Sequence, residues 1–135
     1  MKYLEASIST ASKEDLMVKI FDAIVLFTRK AIDRMKTEPS DIQSRHNFLR
    51  SAQRACGAAV DAIDFDLGGE LAQSNAALYQ FWYRQLVEAN MKGDVALAEG
   101  VLPQMVMIRD AWAEAVRRFK MEFAADEPRQ DVAVV

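Results

Sequence analysis

Residues 95–119 read VALAEGVLPQMVMIRDAWAEAVRRF, and their apolar spacing decides the fold class. Ala98, Val101, Met105, Ile108, Trp112, Ala115 and Phe119 recur at alternating steps of three and four, which lines them along one face of an α-helix. Val95, Leu102 and Val116 widen that face beyond a single seam. Pro103 falls inside the pattern. A proline there lacks a backbone donor and crowds the preceding turn, so a kink or a restart is expected near Gly100–Leu102.

The same period extends outward in both directions. Upstream, Gly93 suits the position just past a helix end, and Asp94 suits the N-cap of the next helix. A third helix is predicted from about Glu70 to Met91, with Leu71, Asn75, Leu78, Trp82 and Ala89 on its inner face and Tyr79, Tyr83 and Leu86 round the side. Leu67-Gly68-Gly69 is read as the end of the second helix. In that helix Ile42, Leu49, Cys56 and Ile63 fall at seven-residue steps, with Ala52 and Ala59 between them, the narrow seam of a nearly parallel packing. Glu38-Pro39-Ser40 breaks the chain, and Ser40 or Asp41 is the expected cap. The first helix is predicted from about Lys13 to Met35, capped by Ser12 with Asp15 three positions on. Leu16, Ile20, Ala23 and Phe27 form one of its stripes, and Met17, Ile24 and Ala31 another. Residues 1–11 are read as an extended arm and 124–135 as a frayed tail, on either side of a bundle domain at 12–123. No strand alternation is present. The expected fold is all-α: an antiparallel up-down four-helix bundle.

Composition narrows the function. The 135 residues suit a single domain, and their formal charge of −3 argues against nucleic acid as the main partner. The one cysteine forbids an internal disulfide. Met1-Lys2-Tyr3-Leu4-Glu5 lacks a signal-peptide core, and the densest apolar stretch, Ile20–Phe27, is interrupted by Asp22 and is too short to span a bilayer. A cytoplasmic protein without membrane insertion is the expectation.

Candidate catalytic centres each lack a named part. His46 is the only histidine, and Cys56 lies ten positions along the same helix, roughly 15 Å away by the rise per residue, so the two form no dyad. Cys56 reads as a small core hydrophobe. A di-iron bundle needs two Glu-x-x-His motifs, which one histidine excludes. Asp64-Phe65-Asp66-Leu67-Gly68-Gly69 resembles a calcium loop only faintly, since Gly68 at position five brings no side-chain ligand and Asn75 stands at position twelve, where a bidentate glutamate is needed. Gly68-Gly69 lacks the Lys and Ser/Thr of a phosphate loop. No enzyme activity, cofactor or metal is expected. What remains is an apolar and aromatic surplus, including Tyr79, Phe81, Trp82, Tyr83, Trp112 and seven methionines. Such residues suit either a packed interior or a groove that accepts a partner's helices.

Several motifs together resemble the flagellar secretion chaperone family, the FliS-type flagellin chaperones. They are Gly68-Gly69-Glu70-Leu71-Ala72, Asn75 with Leu78-Tyr79, Leu86-Val87-Glu88-Ala89-Asn90, Lys92 with Asp94, and Ile108-Arg109-Asp110-Ala111-Trp112. Thr10-Ala11-Ser12, Leu16 and Ile20-Phe21-Asp22-Ala23 agree more loosely. Tyr3 sits where that family carries an N-terminal tyrosine. Lys13 stands where the family commonly has proline, Pro103 interrupts a helix that the family runs through, and the second helix matches by pattern alone. The resemblance implies a cytosolic export chaperone that binds the disordered C-terminal segment of flagellin, prevents premature polymerisation and assists delivery to the export apparatus. It also implies a partner-binding set of Tyr3, Leu4, Ile8, Asn75, Leu78, Tyr79, Trp82, Leu86, Asn90 and Trp112, with Tyr3, Leu4 and Ile8 as a cover for the groove. The alternative is a generic helical adaptor or a homodimeric interaction module.

Overall fold

The computed structural model describes residues 13–126, and these form four α-helices: α1 (Lys13–Thr37), α2 (Ile42–Asp61), α3 (Phe65–Lys92) and α4 (Val95–Asp126). Each helix packs on its neighbours in a ring, α1 on α2, α2 on α3, α3 on α4 and α4 on α1. Polar contacts between helix ends fix the directions. The Arg45 guanidinium near the start of α2 donates to the Asn90 carbonyl at the end of α3 (3.0 Å). Lys36 near the end of α1 pairs with Glu99 at the start of α4. Lys120 in late α4 pairs with Asp15 in the first turns of α1 (2.7 Å). Neighbouring helices therefore run antiparallel, as short connections require, and the fold is the expected four-helix bundle.

The core is built from the seam residues of all four helices: Phe21, Ile24 and Val25 from α1, Leu49, Ala52 and Cys56 from α2, Tyr79, Trp82 and Leu86 from α3, and Ala98, Val101 and Met105 from α4. In α1 the stripe of Met17, Ile24 and Ala31 is the buried one, whereas Leu16 in the neighbouring stripe is exposed. In α2 the seven-residue seam holds at Leu49 and Cys56, but Ile42 in the first turn faces solvent.

Local signals set three of the boundaries. Asp41 caps α2: one carboxylate oxygen accepts the Ser44 N–H (3.0 Å) and the other the Arg34 guanidinium (2.7 Å). The Arg34 hydrogen bond, helped by Ser44, holds the Asp41 carboxyl down at about 2. Gly93 ends α3 in the left-handed conformation (φ 64°), and the Asp94 side chain accepts the Ala96 N–H (3.0 Å) to start α4.

Three expectations are corrected. First, α2 ends at Asp61, not at Leu67-Gly68-Gly69. Asp64 then caps α3 by accepting the Asp66 and Leu67 N–H groups (both 3.1 Å), and Gly69 sits inside α3 as a kink with φ 54° and ψ −129°. That backbone region is nearly closed to residues with a Cβ, so glycine bends the helix here instead of terminating the one before. Second, α3 is rotated relative to the expected inner face. Ala72, Ala76, Tyr79, Trp82, Leu86 and Ala89 are buried, while Leu71 is 69% exposed. Third, of the kink or restart expected near Gly100–Leu102, the restart does not occur: α4 is helical without interruption from Val95 through Asp126. Proline removes the donor of one helical bond there. Burial of Val101 and Met105 on either side holds the segment against the bundle.

Candidate functional site

Four aromatic rings from three helices meet near one end of the bundle. Phe21 of α1 lies edge-on to Tyr79 (centroids 5.3 Å apart, 69° between planes) and to Trp82 (6.5 Å, 80°). It stacks with Trp112 of α4 (6.1 Å, 27°). Edge-to-face and offset contacts of this kind are the favourable arrangements for ring quadrupoles, so the cluster makes a firm floor. Trp82 is fully enclosed, and its indole N–H donates to the Gln104 side chain (3.1 Å). Burial pushes the Tyr79 phenol above its ordinary pKa, and an interaction with the Trp112 indole N–H acts the other way.

Above this floor is an apolar pocket of about 270 Å³. Its walls come from the first turns of α1 (Lys13, Glu14, Met17), the α2–α3 connection (Ala62, Ile63, Asp64), the kinked start of α3 (Leu67, Gly68, Leu71, Ala72, Asn75) and Trp112 of α4. The kink matters for its shape. Gly68 leaves no room for a Cβ, which would lie 2.5 Å from the Ala72 Cβ, and Gly69 turns the first helical turn away from the axis of the rest. Leu67 and Leu71 are left at the mouth, 87% and 69% exposed. Covering one leucine side chain completely is worth roughly 1.5–3 kcal/mol, so this mouth is a surface that gains by being covered.

Of the residues expected to bind a partner, the fold brings Asn75, Tyr79 and Trp112 together around the pocket. Leu78 is half-buried and packs against the core, and Trp82 and Leu86 are wholly enclosed within it. Asn90 lies at the opposite end of the bundle, where its side chain meets the Arg45 guanidinium (3.4 Å) and the His46 Nδ1 (3.0 Å). Tyr3, Leu4 and Ile8 lie outside the described residues. Met17, Ile63, Leu67 and Leu71 line the pocket without having been singled out as partner contacts. Leu67 beside two glycines was the available signal, because a large apolar residue next to a helix break has few neighbours to cover it.

The polar chemistry is sparse. Among the described residues no group of three or more His, Cys, Asp and Glu is placed to hold a metal ion. The Cys56 thiol is enclosed, and burial pushes its pKa up to about 12, so it stays protonated. No described helix is long and apolar enough to cross a membrane.

Residues 1–118 match the family model described as "Flagellar protein FliS". The chain belongs to the FliS family. Among its relatives is the flagellar secretion chaperone FliS of Bacillus subtilis (strain 168), 28% identical over 117 residues that cover 85% of this chain and 84% of that protein. The flagellar secretion chaperone FliS of Escherichia coli (strain K12) is 25% identical over 118 residues, covering 84% and 82%. The flagellar secretion chaperone FliSB of Pseudomonas aeruginosa is 28% identical over 109 residues, covering 81% and 85%. The matched span includes all of α1, α2 and α3 and most of α4, so the pocket lies inside the part that the family shares.

Proposed function

We propose that this FliS-family chain is a cytosolic export chaperone for flagellin, binding the disordered C-terminal segment of its client and keeping it from polymerising before export. The observation that carries this reading is the apolar pocket with Leu67 and Leu71 exposed at its mouth, within the span matched to the family. A disordered client segment loses several kcal/mol on ordering and recovers it by laying apolar side chains on such a surface, typically burying about 1,000–3,000 Å². The role is one of binding without chemistry. The family resemblance gives Tyr3, Leu4 and Ile8 the part of a cover for the pocket when no client is bound, and Lys13, the first described residue, lies on the pocket rim. Delivery to the export apparatus would follow from holding the client in an unpolymerised form.

Titration calorimetry with the C-terminal segment of the cognate flagellin tests this. Binding with a heat-capacity change of roughly −0.3 to −0.5 kcal/mol/K is expected if about 2,000 Å² of largely apolar surface is buried. No complex at tens of micromolar would overturn the reading. A tight homodimer by sedimentation that flagellin does not dissociate would favour a self-associating adaptor.

A further inference from the structure

The apolar mouth of the pocket lies at the end of the bundle where α4 finishes. Lys120 in late α4 pairs with Asp15 of α1, and Lys13, Glu14 and Met17 from the same first turns of α1 are pocket walls. Trp112, the wall that α4 supplies, stands fourteen residues before Asp126, about 21 Å along the helix. Beyond Asp126 the sequence continues as Glu127-Pro128-Arg129-Gln130-Asp131-Val132-Ala133-Val134-Val135, which lies outside the described residues. Its composition divides in two. The first five residues are charged or polar around Pro128, which has no N–H to give to a helix. The last four are wholly apolar, and three of them are valines, whose branched side chains favour extended backbone.

We propose that residues 132–135 fold back onto the exposed Leu67 and Leu71 side chains at the pocket mouth, making this segment an intramolecular competitor for the client. Chain length selects the place. At about 3.3–3.6 Å per residue, Val132 can stand up to about 20 Å from Asp126, and Val135 up to about 30 Å. Folded back along α4, the valines therefore come level with the pocket. Ile42 and Met91 are exposed apolar residues at the opposite end of the bundle, and the length of α4 alone puts that end roughly 46 Å from Asp126, beyond the segment's reach. Met121 is nearer, but its sulfur lies against the Arg117 guanidinium (2.9 Å), so it makes a poor apolar seat. The pocket rim carries Lys13, Glu14 and Asp64, so Arg129 and Asp131 of the linker each find an opposite charge there. A five-residue linker holds the valines at an effective concentration of roughly millimolar, so a contact too weak to form between separate molecules is populated within one. The client brings more apolar surface and displaces it. That consequence rests on the pocket being the client's site; the docking itself does not.

The test places a nitroxide label on Gln130→Cys in the full chain. Cys56 is enclosed, so the label goes to position 130 alone. With no client present, the label should broaden the backbone amides of Leu67, Leu71 and Asn75 and spare those of Ile42 and Met91. Adding Val132→Ser, Val134→Ser and Val135→Ser to the labelled chain should abolish that broadening. These three positions lie outside the described helices, so helicity by circular dichroism should be unchanged. The unlabelled triple-serine chain should bind the flagellin segment about three- to tenfold more tightly than the parent chain. Absence of broadening at the mouth, or broadening that survives the serine changes, would overturn the proposal. So would broadening that disappears on dilution with excess unlabelled chain, which assigns the contact to a second copy. A Tyr3→Ser/Leu4→Ser variant that moves the Leu71 amide while the triple-serine variant leaves it in place would give the mouth to the N-terminal arm instead. Equal flagellin affinity in both chains would overturn the competition. The expected broadening with no flagellin binding by either chain would uphold the docking and sink the flagellin reading.

Discussion

Replacing Trp82 with alanine separates a core role from a contact role, because the structure gives it only the first. The side chain is fully enclosed, packed on Phe21 and Tyr79, with its indole N–H donated to Gln104. Removing a buried ring of this size forfeits roughly 150–250 Å² of burial, or about 4–6 kcal/mol at ~25 cal/mol per Å². Measured aromatic truncations cluster at about 3–5 kcal/mol, which is the range expected here. The hydrogen bond adds little to this. Gln104 is exposed and returns to water when the indole is gone, so at most about 1 kcal/mol is lost with it. Trp82→Phe keeps most of the ring packing and should cost less, about 1–2 kcal/mol. The assay is urea unfolding monitored by circular dichroism, with the midpoint shifting and the slope unchanged. A cost below about 1 kcal/mol for Trp82→Ala, together with a large loss of client affinity, would refute the packing described here.

The two kinds of glycine in the helices should respond oppositely. Gly69→Ala places a Cβ at φ 54°, ψ −129° and should cost about 1–3 kcal/mol, whereas Gly57→Ala, with no atom within 4 Å of the new Cβ, should stabilise by about 0.5–1 kcal/mol; urea unfolding reads both. Asp41 gives a pH signature. Its folded pKa of about 2 lies below the ordinary 3.8, so its stabilising contribution is present above pH 4 and is lost as pH falls toward 2. Asp41→Asn should flatten that part of the stability–pH curve. Cys56 has the reverse sign. Its pKa is raised from 9.0 to about 12, so the buried thiol favours folding below pH 9 and this contribution is lost as pH rises toward 12. Its reaction with iodoacetamide at pH 8 should be limited by unfolding, and labelling of the native protein at the rate of a free thiol would contradict its burial.

Much of the fold was legible because its signals are local. Asp41, Gly93 and Asp94 mark helix ends through bonds within one turn, and the period of Ala98, Val101 and Met105 names a buried face from one helix alone. The rest depended on tertiary partners. Leu71 and Leu78 fit one face of α3 as well by sequence as Ala72 and Tyr79 fit the adjacent one. The buried face carries Tyr79, Trp82 and Leu86 together with Ala72, Ala76 and Ala89, and alanine has too little apolar weight to announce it. Gly68-Gly69 signalled a bend correctly, but glycine punctuates helix starts and ends alike. Asp64, which caps α3, decides which it is here. At the site, Asn75, Tyr79 and Trp112 converge only because the α3–α4 reversal at Gly93-Asp94 brings residues about equally far from it to the same level. Leu67 and Leu71 were expected at a helix end and on the core face, yet they form the mouth.

The most direct test of the central claim is a nitrogen–proton correlation titration of the intact chain with the C-terminal segment of its cognate flagellin, following the Trp112 indole N–H. The account predicts that this resonance shifts together with the backbone amides of Leu67, Leu71 and Asn75, while the amides around Arg50 and Arg54 stay in place. No change at Trp112 with saturating client, or shifts confined to the α1–α2 face, would contradict it.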